Sequence, residues 1–343
     1  MKRKPIVIPK PSLCYQPTSI RKPASIDLKA ISLATEAVLL KRGCMPQAPR
    51  TLIVAPVFGC NLRCKGCNYS NENIGQGRRF IDIQDLAVFT SQAYTKGTLG
   101  VELAGGGEPT LHPHFDRMVD DLCGHGFEIG LITNGYGFSR ASTRDRISRF
   151  KYIRFSYYGH KSQLEAIENA LIMSTHDHKA TLISVKILVN QRNKSRICKI
   201  IQALRQSFGN IPISLAAERD SEAMLSEVEV ASLISELISG GFINVNTSRL
   251  HKSYLVGKCW ISPVQMFIDA EGDIYVCCYN QYQDKGSFSY GNIRDEFNAV
   301  WNSIEHKSAI EHINTDVCNV FDCRLHHYNS ILSTVEKGHF EFI

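Results

Sequence analysis

The chain has 343 residues, of which 43% are apolar and 21% charged, with a formal net charge of +6. That length fits one large α/β domain with a smaller appendage, and that balance excludes a disordered chain. No apolar run of about 18 residues is present to cross a membrane, and the basic N-terminus lacks the apolar stretch of a signal peptide, so the expected location is the cytoplasm. Much of the positive excess sits in Lys2, Arg3, Lys4, Lys10, Arg21 and Lys22. No aromatic-interleaved basic patch accompanies it, which argues against nucleic acid as a main partner.

Residues 1–50 are proline-rich around one helical stretch, Ile26 to Arg42, and read as an extended arm with a short helix. From Thr51 onward apolar, β-rich runs alternate with amphipathic segments. The runs are Thr51 to Phe58, Val101 to Ala104, Phe127 to Thr133, Lys151 to Tyr157, Thr181 to Val189 and Ile211 to Leu215. Asp220 and Ser221 read as start signals for a helix that Gly240-Gly241 stops. Strand-helix repeats of this kind imply parallel strands with right-handed crossovers, hence an α/β fold with a partial (β/α)6 TIM-type barrel over residues 51–240. After Gly241 the rhythm changes. Val264 to Ile268, the turn Glu271-Gly272-Asp273 and Ile274 to Cys277 form a hairpin signature, and a short helix follows around Phe297 to Ile304. Residues 241–343 are therefore expected to form a small extension of hairpin and helix.

The twelve cysteines are unevenly distributed. In a reducing compartment, clustered cysteines are metal ligands or catalysts more often than disulfides. The first strand runs into Cys60, Cys64 and Cys67, with three and then two intervening residues and no fourth cysteine or histidine nearby. A structural zinc site would want four ligands. Three thiolates on a tight loop can instead bind three corners of a [4Fe–4S] cube and leave one iron open.

Other motifs fall at the ends of successive strands, where such barrels keep their chemistry. Gly105-Gly106-Gly107-Glu108-Pro109-Thr110 follows the second strand, Thr133-Asn134-Gly135 closes the third, Ser156 comes at the end of the fourth and Asn190 at the end of the fifth. Read alone, each is equally a turn or a helix cap. Together, in this order behind the Cys-x3-Cys-x2-Cys loop, they resemble the radical S-adenosylmethionine (SAM) superfamily. The resemblance implies that Cys60, Cys64 and Cys67 hold a [4Fe–4S] cluster with SAM at its open iron. It also implies that Gly106, Gly107, Glu108, Thr133, Asn134, Ser156 and Asn190 contact SAM. Family members often carry an aromatic residue before the third cysteine; here Gly66 stands there, and Tyr69 is the nearby aromatic.

Cys259, Cys277 and its neighbour Cys278, then Cys318 and Cys323, form a second group that, as soft ligands, suits either zinc or a second cluster. With Trp260, Gly291-Asn292-Ile293 and Trp301, this group is similar to the SPASM/Twitch extensions of radical SAM enzymes. It looks like the shorter Twitch form, as in the butirosin-pathway aminocyclitol dehydrogenase. That implies one auxiliary [4Fe–4S] cluster on Cys259, Cys277, Cys318 and Cys323, with Cys278 as the alternative to Cys277. The closing pair departs from that pattern in having four intervening residues.

The resemblance implies reductive cleavage of SAM to a 5′-deoxyadenosyl radical that abstracts a substrate hydrogen, with electrons from a flavodoxin- or ferredoxin-type donor. Placement and exclusion of water then matter more than acid–base chemistry, so no general base is assigned among the histidines. An auxiliary cluster without an open iron favours oxidation of a small biosynthetic metabolite. The alternatives are a maturase or epimerase of a ribosomally made peptide, in which Cys278 or Cys123 would supply a hydrogen atom, and a non-catalytic metal-binding scaffold.

Overall fold

A computed structural model describes residues 38–337 except 39, 42, 65, 66, 68–77, 160, 177–180, 219–222, 253–256, 279–288, 314, 316, 317, 319–322 and 324. The arm and almost all of its expected helix, Gly66, Tyr69 and the Asp220-Ser221 pair lie outside the described residues.

The strands are Thr51–Val54 (β1), Val57–Phe58 (β2), Arg79–Phe80 (β3), Gly100–Leu103 (β4), Glu128–Thr133 (β5), Phe150–Tyr157 (β6), Leu182–Val189 (β7), Ile213–Ala217 (β8), Asn246–Arg249 (β9), Gln265–Ile268 (β10), Asp273–Tyr275 (β11) and Gly291–Asn292 (β12). The longer helices are Ile83–Thr95 (α1), Phe115–Gly124 (α2), Lys161–His176 (α3), Ile197–Phe208 (α4), Glu227–Ser239 (α5), Ile304–Glu311 (α6) and His326–Lys337 (α7). Ten strands make one sheet in the order β12-β11-β10-β1-β4-β5-β6-β7-β8-β9. Every pair from β10 across to β9 is parallel. The expected six strands are β1 and β4 to β8, and the architecture is the partial (β/α)6 barrel. No helix among the described residues is long and apolar enough to cross a membrane.

Alternation along the strands sorts side chains onto two faces. Leu52, Val101, Leu103, Ile129, Leu131, Ile153, Phe155, Val185, Ile187 and Leu215 join Phe89, Met118, Leu122, Ile201, Leu204 and Leu233 from α1, α2, α4 and α5 in one apolar core. The intervening residues Glu102, Tyr152, Arg154, Ser156, Ser184, Lys186 and Ser214 are only half-buried and face the concave side. That concave face is two-sided: Ile53, Ala55, Ala104 and Phe267 make an apolar wall on β10, β1 and β4, whereas β6 to β8 supply the polar wall.

Two connections were not apparent from local pattern. The expected hairpin forms, with β10 and β11 antiparallel, but β10 also pairs in parallel with β1, so β1 is a central strand. At the opposite edge β9 pairs with β8. The sheet thus continues through residues on both sides of Gly241. Helix α5 starts at the capping box of Ser226 and Glu229, in which each side chain meets the other residue's backbone N–H. It ends at Gly240, as expected.

Candidate metal and cofactor centres

The three-cysteine loop leaves the sheet directly after β1 and is closed at its base by the antiparallel ribbon of β2 and β3, Val57 opposite Phe80 and Phe58 opposite Arg79. Arg79 lies over the Phe58 ring, 4.7 Å from its centroid, and forms an ion pair with Glu271 in the β10–β11 turn. The loop is thereby tied to the hairpin that carries Cys277 and Cys278. Cys60 and Cys67 are exposed and Cys64 is half-buried. Leu62 N donates to Cys60 Sγ at 3.4 Å, and Asn134 Nδ2 approaches the same sulfur at 3.7 Å. Burial pushes the Cys60 and Cys64 thiols up, and neighbouring negative groups, including Glu108 and Cys64 for Cys60 and Cys67 for Cys64, push the same way.

The glycine motif packs against the start of this loop. Gly59 and Gly107 form a parallel bridge, and Glu108 N donates to Gly59 O at 3.1 Å. A Cβ at Gly107 would lie 1.9 Å from Gly59 O, and one at Gly106, whose φ is +69°, would lie 2.7 Å from Val57 O. These glycines therefore let two strand ends touch, a requirement that exists before any ligand binds. Glu108 is 3% exposed. Its Oε1 accepts from the hydroxyls of Thr110 and Thr133, both at 2.6 Å, and its Oε2 accepts from Asn134 N at 2.7 Å. Burial pushes this carboxyl above the usual carboxylate range, and those donors oppose the shift. The side chains of Glu108 and Thr133 thus form a knot between β4 and β5. Asn134, by contrast, reaches the cysteine loop, donating to Asn61 Oδ1 at 2.7 Å.

Ser156 lies on the concave face at the end of β6, half-buried. Its carbonyl and that of Asn134 both accept from Gln163 Nε2 at 2.8 Å, while Tyr158 N donates to Gln163 Oε1 at 2.9 Å. Gln163, buried at the start of α3, aligns two motif-bearing strand ends; nothing in its local sequence distinguishes it from a surface helix residue. Asn190 closes β7, with its Oδ1 accepting from Arg192 N and Asn193 N at 3.0 and 3.1 Å. His112 is buried between Ile81 O, 3.0 Å from Nε2, and His114 N, 3.1 Å from Nδ1, in a structural role.

The second group is brought together in the fold. Cys259, Cys277, Cys278, Cys318 and Cys323 line one cavity, with Gln265, His326 and Ile53. Burial pushes Cys318 up to about 11 and Cys323 to about 12, with the thiols of Cys259 and Cys278 adding to both shifts. Cys278 is electrostatically coupled to the closing pair. Ile53 also belongs to the apolar wall of the barrel, and Cys278 packs against that wall. The second cysteine cavity therefore abuts the apolar wall of the barrel. Cys123 lies elsewhere, on α2, with its thiol 3.6 Å from Arg149 O.

Comparison with known proteins gives this arrangement its family. Residues 54–201 match the radical SAM superfamily, and residues 259–324 match SPASM, an iron–sulfur cluster-binding domain. The chain carries a radical SAM domain followed by a SPASM domain. Among solved structures, Streptococcus suis SuiB bound to S-adenosylmethionine is 16% identical, with a TM-score of 0.61 over 84% of this chain and 74% of that one. Native anSMEcpe with bound AdoMet and Cp18Cys peptide is also 16% identical, with a TM-score of 0.56 over 85% of this chain and 96% of that one. A probable GTP 3′,8-cyclase of Pyrobaculum aerophilum is 31% identical over 77 residues, 22% of this chain and 24% of that protein. The chain spans less than a quarter of the length of the curated relatives it matches.

The family uses a [4Fe–4S] cluster with SAM, and the SPASM domain adds iron–sulfur binding. The residues present fit both. Thiols that are buried side by side raise one another's proton affinity, and iron replaces those protons with positive charge. The first group offers three sulfurs on a loop at the lumen mouth. The second offers five around one cavity.

Proposed function

We propose that this radical SAM enzyme abstracts a hydrogen atom from a polar biosynthetic metabolite held in the barrel lumen and oxidises the product radical through an auxiliary cluster. The observation that carries this reading is the shared wall: Ile53 lines both the lumen and the second cysteine cavity, and Cys278 packs on that wall. Bound at Cys60, Cys64 and Cys67, the cluster and SAM supply the electron and the 5′-deoxyadenosyl group that takes the hydrogen. The chain's own residues do the placing. Glu108, Thr133 and Gln163 hold the strand ends; Asn134 fixes the cysteine loop; Gly106, Gly107, Ser156 and Asn190 are the proposed SAM contacts. Arg154, Lys186, Glu102 and Tyr152 offer the substrate charges and hydrogen bonds on the polar wall. Cys259, Cys318 and Cys323 hold the auxiliary cluster with Cys277 or Cys278. The unit boundaries proposed are 1–50, 51–240 and 241–343, the location is the cytoplasm, and the electron donor is of flavodoxin or ferredoxin type.

A peptide substrate is the second reading. It is supported by SuiB having been described bound to the precursor peptide SuiA and anSMEcpe with the Cp18Cys peptide. The test uses the reconstituted protein with SAM, dithionite and extract of host cells grown on deuterated medium, divided by size into metabolite and peptide fractions. Deuterium entering 5′-deoxyadenosine from the metabolite fraction supports the first reading. Deuterium entering only from the peptide fraction replaces it with the second.

A further inference from the structure

One buried carboxylate at the lumen mouth lies outside the sequence motifs. Glu218 follows β8 immediately, and its N–H donates to Val189 O at 2.8 Å, so its backbone is fixed in the sheet. Ser214 and Ala216 precede it on the concave face, and the two-residue period puts Glu218 on that face too. It is 2% exposed. Its Oε2 accepts from Asn190 Nδ2. The orientation of that amide is settled, because Asn190 Oδ1 already accepts from two backbone N–H groups. Oε1 of Glu218 is buried and has no partner. A buried carboxylate oxygen without a donor is unfavourable, and native structures leave one mainly where a ligand, water or ion completes it. Glu218 lies within electrostatic range of the cysteine loop, where it adds to the upward push on the Cys64 thiol. Oε1 can only accept, and the second Nδ2 hydrogen of Asn190 beside it can only donate.

We infer that Glu218 is a SAM-positioning residue whose Oε1 accepts a hydrogen bond from the nucleoside half of SAM, a ribose hydroxyl or the adenine amine. The inference rests on the radical SAM reading and adds to it a carboxylate that the sequence motifs do not contain. A fixed acceptor beside a fixed donor suits a group that presents both, as a ribose diol or the adenine edge does. Methionine, which lacks the nucleoside, presents neither group.

The experiment measures binding of SAM and 5′-deoxyadenosine by equilibrium dialysis to wild type and Glu218→Gln, each reconstituted and checked for iron content. Glutamine keeps the volume and removes the charge. A hydrogen bond to a carboxylate makes the expected loss about 10- to 100-fold for both ligands, with methionine binding unchanged. Repeating the pair with 5′-deoxyinosine, which lacks the amine, separates the sources. An equal loss with both nucleosides identifies the hydroxyl; a loss confined to 5′-deoxyadenosine identifies the amine. Should Glu218→Gln lose its iron, Glu218→Asp, which keeps the charge but draws it back by one methylene, is expected to show the same weakening. Unchanged affinities in an iron-replete variant overturn the inference and leave the family reading standing. Failure of the wild type to bind SAM overturns both.

Discussion

At the scale of single residues, Glu108 sets the geometry of the strand ends. Its carboxylate joins the 3₁₀ turn after β4 to the end of β5, and both oxygens are occupied. Replacing Glu108 with alanine leaves Asn134 N and two hydroxyls facing a void. Chemical denaturation is expected to show a loss of about 3 kcal/mol, since hydrogen bonds to charged groups contribute roughly 1.5–3 kcal/mol each and partly re-form with water. A loss below about 0.5 kcal/mol would contradict the role. The motif containing Glu108 was legible in the sequence, because three glycines before an acidic residue at a strand end is a rare run. What the side chain does was not, because a motif reports residue type and order, while the direction of a carboxylate depends on partners 25 residues away. Gln163 and Glu218 were illegible for the same reason: their partners lie on other strands.

At the scale of elements, the C-terminal extension rests on a small aromatic stack. His306 is fully buried, with its ring centroid 4.4 Å from that of Tyr290 and 4.3 Å from that of Trp301. Its Nδ1 accepts from Asn302 N at 3.1 Å, which holds Asn302 at a φ of +67°. Burial pulls this imidazole from 6.5 down to about 4. The unfolded chain therefore binds the proton first on acidification. Stability is complete above pH 6.5 and falls as the pH drops from there toward 4, by up to about 3 kcal/mol. Thermal unfolding followed between pH 7 and 4.5 should show this slope, and His306→Phe should flatten it; an unchanged slope in the variant would contradict the assignment. Trp301 was expected to mark this helix region, and its indole donates to Pro46 O at 2.9 Å. The histidine beneath it carried no sequence signal, since a single histidine in an amphipathic segment looks like a surface residue.

At the scale of the whole molecule, the two cysteine groups belong to one sheet. The six core strands were legible because each is a short β-rich run whose buried face alternates with the concave one. The edges were not. Residues Asn246–Arg249 are polar and lack the apolar alternation of a strand, and a hairpin pattern does not name the strand it will pair with. Because β10 covers one side of β1, a chain ended after Gly241 would turn a buried central strand into an open edge. Such a shortened chain is expected to aggregate on gel filtration, whereas an independent core would elute as a monomer.

The most direct test of the central claim is iron and acid-labile sulfide per chain after anaerobic reconstitution, for wild type and for the protein with Cys60, Cys64 and Cys67 all changed to alanine. Two [4Fe–4S] sites predict about eight irons falling to about four, with SAM cleavage lost in the variant. About four irons falling to none, or stoichiometric zinc in the second cavity, would contradict the auxiliary cluster and the oxidation assigned to it.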